Sequence, residues 1–226
     1  TCALPICESA GAISVSALLA TRQPERLFHR AILQSGGGYL VHTAAYQRTV
    51  ARRHFDAGSI RSVAALKALS TSRLLDLQAK VVNAAPLFSG DTYFAPFVDG
   101  NVVPGPVVPR IAAGSARHVR VLSGTNENET GYWALYDPGL LDVPPAASPF
   151  FPSALSAQRD AITARYRADR PGATEGAITH AMLTDQLFRV PQIRLAEAQA
   201  RWQPGWMYLF RWHVPFDPAE IGRAHV

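Results

Sequence analysis

The sequence predicts an α/β fold, in which helices flank a sheet. The first sign is the order strand, turn and helix near the start: apolar residues 3–6, a turn around Ser9, and small or apolar residues from Ala10 to Ala20. The other signs are two short apolar segments at 30–34 and 119–124, each followed by a polar, Gly-containing loop. Short apolar runs bounded by Gly are typical of buried strands.

Composition supports one large core. The chain has 226 residues, of which 48% are hydrophobic and 17% charged, so disorder is not expected. No apolar run approaches the roughly 20 residues of a membrane span. The charge of +5 is spread out, and the densest pair, Arg52-Arg53, is expected on a solvated helix face, so a nucleic-acid partner is not predicted. Cys2 and Cys7 form no disulfide framework or metal-binding set, and no cofactor is predicted.

The segment Cys7-Glu8-Ser9-Ala10-Gly11 matches the pattern G-x-S-x-G except at its first residue. That pattern, a nucleophile elbow, places a serine at the tip of a sharp turn between strand and helix. The positions two before and two after the serine approach other backbone and need small side chains, as Gly11 has. The helix that follows directs its positive end toward the place where an oxyanion forms. The alternative is a serine in an ordinary turn.

Helical spacing predicts a helix over 43–57 that ends at Gly58, and one or two helices over 62–82. The triplet Gly36-Gly37-Gly38 is interpreted as a strand-end loop rather than an anion cradle, because no G-K-[ST] follows. Asp99-Gly100 is interpreted as a turn. The remaining predictions are loops at 83–117 and 137–153, helices at 154–169, 173–186 and 190–202, and a strand at 208–212.

Two long ungapped segments, Glu8 to Ser16 and Leu27 to Gly36, resemble the type-B carboxylesterases, the cholinesterase-like branch of the α/β-hydrolases. The resemblance implies a partial α/β-hydrolase domain over 7–219, a mostly parallel sheet with helical insertions that lacks the N-terminal strands and the C-terminal end. It resumes in further segments: Phe94 to Gly100, Val119 to Gly131, Thr184 to Pro191, and Tyr208 to Trp212.

The same resemblance implies the site residues. Ser9 takes the position of the nucleophile, the Ala10 N–H that of an oxyanion donor, and Glu129 that of the triad acid. Glu127 is a local competitor, and Glu129 is preferred on motif register. A surface glutamate at a helix start is the other interpretation of Glu129.

Some residues near Glu129 depart from the family pattern or carry an open interpretation. Asn128 and Thr130 replace the usual Asp and Gly, and Arg211 stands where Asp is usual. Tyr132 and Trp133 either line an acyl pocket or belong to the core.

The triad histidine should lie about 90–115 residues beyond the acid, in the chain order Ser, acid, His. His225 falls in that window, but we interpret it as non-native and expect the native histidine just beyond. His213 is interpreted as a surface residue. The remaining histidines show no motif: His29, His42, His54, His118 and His180.

The two ends are expected to be non-native. Residues 1–6 match the translation of a widely used sequencing-library adapter, and residues 220–226 match its reverse complement. A junction inside a Gly codon would convert Gly to Cys, so Cys7 is interpreted as a former Gly.

The sequence therefore predicts a serine carboxylesterase that hydrolyses small-molecule carboxylic esters through an acyl-enzyme on Ser9. The polypeptide itself is expected to be inactive, because the histidine and the upstream Gly-rich oxyanion loop are missing. The alternative is a non-catalytic, cholinesterase-like binding or adhesion protein on the same fold. A lipase or peptidase of the α/β-hydrolase group is a weaker third interpretation.

Overall fold

A computed structural model of the chain describes residues 4–82, 94–131, 133, 139, 143–148 and 151–212. Its larger sheet has four parallel strands in the spatial order β1, β2, β5, β6. A smaller parallel sheet pairs β3 with β4. The strands are β1 (Ile6–Glu8), β2 (Arg30–Gln34), β3 (His42–Thr43), β4 (Phe97–Val98), β5 (Arg120–Asn126) and β6 (Trp206–Phe210).

Helices lie between successive strands of the larger sheet along the chain, which is why those strands can run parallel. The helices are α1 (Ala10–Leu19), α2 (Ala44–Ala57), α3 (Val63–Lys67), α4 (Thr71–Val82), α5 (Val107–Ala112), α6 (Arg159–Ala168), α7 (Glu175–Thr184) and α8 (Val190–Ala200). In the described residues no helix is both long enough and apolar enough to cross a membrane.

The main core lies on one face of the larger sheet. Leu33 of β2 and Val121 of β5 pack there against Leu19 of α1, Ile111 of α5 and Leu195 of α8. A second, smaller cluster joins α2 and α4. The three helices that pack on this core are each adjacent to a strand of the larger sheet along the chain: α1 follows β1, α5 precedes β5 and α8 precedes β6.

The predicted helix over 43–57 is confirmed with its boundaries. The Thr43 hydroxyl accepts the Tyr46 N–H at 3.2 Å, and the helix ends at Gly58. A threonine at this position satisfies an N–H that has no partner within the helix. The predicted strand at 30–34 is also confirmed.

The strand expected at residues 3–6 begins later, at Ile6, and runs to Glu8. Proline has no N–H to donate to a strand pair, so Pro5 lies just before the strand. Its carbonyl still accepts the Ile32 N–H at 2.9 Å. Residues 1–3 lie outside the described part of the chain.

The segment 83–117, predicted to be loop-rich, contains the short helix α5 at 107–112. Pro109 lies in the first turn of that helix, where a proline is tolerated because its missing N–H has no partner in any case. The predicted helix at 154–169 begins with a 3₁₀ segment, Ser153–Gln158, and becomes α-helical only at Arg159.

Sequence reasoning separated helices 173–186 and 190–202, whereas the structure joins them. Asp185–Arg189 form a π-helical turn between α7 and α8, and the Val190 N–H donates to the Asp185 carbonyl, five residues earlier. A π turn inserts one residue into a helix without ending it.

Candidate active site

Ser9 stands between the end of β1 and the start of α1 in a strained conformation. Its φ is 50° and its ψ −119°, a region that residues with a side chain rarely occupy. The Ser9 N–H donates to the Gln34 carbonyl at 2.9 Å, and the Ser9 carbonyl accepts the Ile13 N–H at 3.0 Å. The turn is therefore fastened to β2 on one side and to α1 on the other, with the half-buried Ser9 at its tip.

Close contacts around this turn restrict the side chains that it can accept. A Cβ on Gly36 would lie 2.5 Å from the Ser9 carbonyl oxygen, far inside contact distance. A Cβ on Gly11 would lie 3.2 Å from the Cys7 Cβ. The sequence predicted the second approach from the elbow pattern, but not the first.

The glycine loop after β2 is a strand-end loop. Gly37 and Gly38 have positive φ values of 133° and 69°, and the Gly38 N–H donates to the Ser16 hydroxyl at 3.1 Å. The side-chain amide of Gln192 donates to the Gly36 carbonyl at 2.7 Å. These contacts attach the loop to α1 and α8.

Glu129 follows β5, in the segment 126–130, which we call the acid loop. Its side chain is buried, with 3% of the residue exposed, so the surface-residue interpretation is wrong. One carboxylate oxygen accepts the Asn126 N–H at 2.8 Å, and the other accepts the Asn126 side-chain amide at 2.9 Å. A carboxylate held from two directions keeps a fixed orientation.

Glu127, the competing glutamate, is in a different environment. Its carboxylate pairs with the Arg211 guanidinium at 2.9 Å, and the Arg211 side chain is 69% exposed. Arg211 stands where the resembled family has Asp, and this ion pair gives the substitution a local role. Of the two glutamates, Glu129 is thus the one whose carboxylate is buried and held by hydrogen bonds within the acid loop.

Ser9 and Glu129 lie at the same edge of the sheet. Each follows the carboxyl end of a parallel strand, β1 and β5, and β2 lies between those strands. Neighbouring strands are about 4.8 Å apart, so the two turns are separated by roughly 10 Å.

Tyr208 lies on β6, the strand that pairs with β5. Burial raises the pKa of the Tyr208 phenol, a hydrogen bond with Gln34 lowers it, and the negative charges of Glu129 and Glu8 raise it further. Glu8 immediately precedes Ser9. One phenol is thus within electrostatic reach of both turns.

His180 of α7 lies against the acid loop. It is buried, and its Nδ1 is 2.7 Å from the Thr130 hydroxyl. No sequence motif indicates a role for His180, and Thr130, which departs from the family pattern, here has a partner. His213, His225 and Tyr132 lie outside the described residues, and Trp133 is half-buried.

Sequence reasoning missed two other side chains that bond to the acid loop. The Thr184 hydroxyl accepts the Glu129 N–H at 3.2 Å, and Arg189 donates to the carbonyl of Glu127 at 2.8 Å. Both residues fall in the segment Thr184 to Pro191, and although Thr184 also lies in the predicted helix 173–186, no motif indicates either contact. Among the described residues, no group of three or more His, Cys, Asp or Glu side chains could hold a metal ion.

Comparison with known proteins identifies the family. A sequence model of the Carboxylesterase family matches residues 6–225. The para-nitrobenzyl esterase of Bacillus subtilis is 28% identical over 223 residues, which are 93% of this chain and 42% of that protein. The acetylcholinesterase of Bungarus fasciatus is 32% identical over 139 residues, 57% of this chain and 22% of that protein.

Solved structures agree with the fold. Carboxylesterase EST55 of Geobacillus stearothermophilus superposes with a TM-score of 0.78 at 25% identity, covering 94% of this chain and 44% of that one. A structure described as PNB esterase gives 0.72 at 27% identity, covering 95% and 45%. The chain thus spans less than half the length of these relatives, and its parallel sheet with flanking helices is part of an α/β-hydrolase fold. The 226-residue chain belongs to the carboxylesterase family.

Proposed function

We propose that this chain is part of a serine carboxylesterase that hydrolyses small-molecule carboxylic esters. The observation that carries the proposal is the strained Ser9 at the tip of the β1–α1 turn, with φ 50° and ψ −119°. A backbone held in that conformation projects the side chain from the end of the strand toward a substrate. The similarity to para-nitrobenzyl esterase supports esters as the substrate class.

In the proposed reaction, the Ser9 oxygen attacks the ester carbonyl while an imidazole takes the hydroxyl proton. The tetrahedral intermediate collapses, the imidazolium protonates the departing alkoxide, and an acyl group remains on Ser9. Water, deprotonated by the same imidazole, then attacks the acyl carbonyl, and the imidazolium returns the proton to the Ser9 oxygen as the carboxylic acid is released. Both steps pass through an oxyanion, and the proposed donor to it is the N–H of Ala10, at the positive end of α1.

The role proposed for Glu129 is to orient that imidazole and to stabilise its positive charge. Its burial and its bonds to Asn126 support this role, since a fixed carboxylate holds its partner in one orientation. The histidine itself is proposed to come from outside 7–219. His225 matches its expected position but is kept as a non-native residue.

The polypeptide alone is proposed to be inactive. Without the histidine, Ser9 has no base, and loss of one oxyanion donor reduces the rate by about 10²–10³. The 226-residue chain should therefore show no Ser9-dependent hydrolysis of p-nitrophenyl butyrate, whereas a longer protein that includes the missing segments should hydrolyse it.

The decisive test uses the longer protein. Ser9→Ala should reduce kcat/KM by about 10⁴-fold or more, because residues of such a triad act as a unit. Ser14→Ala is the matched control: Ser14 is an exposed serine on the same helix, and its hydroxyl bonds to the Ala10 carbonyl. A fluorophosphonate should label the parent and the Ser14 variant but not the Ser9 variant, as read by intact mass. Unchanged turnover in Ser9→Ala would refute the proposal.

A further inference from the structure

The acid loop is fastened to a long helix on its far side, and not only to its own strand. Three side chains of the continuous α7–π–α8 helix bond to it: His180 to Thr130, Thr184 to the Glu129 N–H, and Arg189 to carbonyl oxygens. Arg189 makes the contact nearest the start of the loop. This helix is therefore positioned to set where Glu129 stands.

Arg189 bonds to two successive carbonyls. One terminal nitrogen donates to the Glu127 oxygen at 2.8 Å and to the Asn126 oxygen at 3.1 Å. These carbonyls precede Glu129 directly, at the point where β5 ends. A planar guanidinium is suited to such a fork, because its donors are rigid and permanently charged.

The π turn brings Arg189 to the loop. His180 and Thr184 are four residues apart and share one face of α7, as 3.6 residues per turn requires. Arg189 is five residues beyond Thr184, and in a regular α-helix it would point about 140° away. The π turn at 185–189 takes up one additional residue, so Arg189 returns to the same face.

Arg189 is itself held in place. Its second terminal nitrogen donates to the Asp185 carboxylate at 2.8 Å, and both side chains are only about one-fifth exposed, at 21% and 20%. The other Asp185 oxygen accepts the Tyr166 hydroxyl at 2.5 Å. Burial and this bond to Asp185 raise the pKa of Tyr166, so the phenol stays protonated and remains a donor.

We propose that Arg189, delivered by the π turn, is a positioning residue that fixes the acid loop so that Glu129 meets the imidazole. The proposal rests on the proposed function for its catalytic consequence. Arg189 touches backbone carbonyls and not the reacting atoms, so it acts through Glu129.

The first experiment measures turnover in the longer, active protein. Arg189→Ala should lower kcat by about 10–100-fold with KM nearly unchanged, because a displacement of about 1 Å in a catalytic group reduces the rate by up to 10²-fold. Arg189→Lys should keep only slightly more kcat than Arg189→Ala, since an ammonium cannot reproduce the planar, forked donors of the guanidinium. Arg194→Ala, an exposed arginine on α8, is the matched control and should retain full activity.

Chemical rescue separates positioning from folding. Added guanidinium at millimolar concentration should restore kcat in Arg189→Ala but not in Arg189→Lys, where the lysine occupies the space. Thermal unfolding should show that both variants are folded. A folded Arg189→Ala protein with unchanged kcat, or one whose loss guanidinium does not restore, overturns the proposal.

A second measurement separates this proposal from the proposed function. Hydrogen–deuterium exchange on the 226-residue chain should show faster exchange of the amides at 126–130 in Arg189→Ala, with 120–125 unchanged. Suppose that exchange at 126–130 is faster in Arg189→Ala but the longer Ser9→Ala protein keeps full activity. The esterase mechanism and the catalytic role of Arg189 would then be rejected, while the restraint of the acid loop by Arg189 would stand. Unchanged exchange at 126–130 would reject the restraint itself, whatever Ser9→Ala shows.

Discussion

The turn at residues 7–11, which we call the nucleophile turn after the role proposed for Ser9, lies at the same sheet edge as the acid loop, but the two are held in opposite ways. Ser9 is surrounded by backbone that approaches closely because Gly36 and Gly11 have no side chains. Glu129 is surrounded by side chains that reach it, from Asn126 and Thr184. The turn at Ser9 thus depends on glycines that leave space for close backbone contacts. Glu129 depends instead on hydrogen bonds from neighbouring residues.

The difference has a physical reason. A strained turn needs its backbone fastened on both sides, and close approach of other backbone achieves this most rigidly. A buried carboxylate needs donors, because an unpartnered charge in the interior is costly. The two regions should therefore respond to opposite kinds of substitution: the turn to added atoms, the loop to removed polar atoms.

The largest effect is expected from Gly36→Ala. The new Cβ would lie 2.5 Å from the Ser9 carbonyl oxygen, which is backbone and cannot rotate away. We expect a loss of about 3 kcal/mol in the free energy of unfolding, at the upper end for overpacking, measured by urea denaturation. Gly105→Ala is the control, because its Cβ would meet only the flexible Arg110 side chain at 3.4 Å and should change stability little. Equal losses in the two variants would contradict the close approach at Ser9.

A smaller effect is expected in the acid loop from Thr184→Val. The isosteric change removes only the oxygen that accepts the Glu129 N–H, in a residue 1% exposed. A buried N–H left without a partner costs about 1–2 kcal/mol.

Thr163→Val supplies the matched control for that change. Thr163 is 5% exposed, and in the described structure its hydroxyl has no hydrogen-bond partner. Its replacement should leave the free energy of unfolding unchanged or raise it. If Thr184→Val lowers the free energy of unfolding no more than Thr163→Val does, the acid loop does not depend on this buried hydrogen bond, and the contrast with the turn is contradicted.

The nucleophile turn could be predicted from the sequence, because its determinants are local. Ser9, Gly11 and the small residues of α1 lie within one strand–turn–helix unit. The strand at 30–34 and the helix at 43–57 are equally predictable, since apolar spacing and a terminal glycine are visible in a short window. What escaped prediction was Gly36, which meets Ser9 only after β1 and β2 pair.

The position of the acid loop could be predicted from the sequence, but the side chains that hydrogen-bond to it from the α7–π–α8 helix could not. Thr184 is 55 residues from Glu129 along the chain, and no local pattern connects them. The π turn was invisible because templates of 3.6 residues per turn treat an inserted residue as the end of one helix and the start of another. Thus 173–186 and 190–202 were separated, and the alignment of His180, Thr184 and Arg189 was lost.

The smallest effect, a change of about 1 kcal/mol in the free energy of unfolding, is expected from Gly11→Ala. Whether this substitution stabilises or destabilises the protein depends on the residue at position 7. In the present chain, Gly11→Ala places a Cβ 3.2 Å from the Cys7 Cβ, which is tight, so stability should fall. With Cys7→Gly that contact disappears, and Ala should be favoured by up to about 1 kcal/mol, its advantage over Gly within a helix.

The double-mutant cycle measured by urea denaturation should therefore give a coupling of about 1–2 kcal/mol between positions 7 and 11. The side chain at position 7 is what crowds the helix start, so a glycine there is the better partner for the turn, as the elbow pattern requires. A coupling near zero would mean that the turn tolerates a side chain at position 7, and the physical argument for an original glycine would be lost.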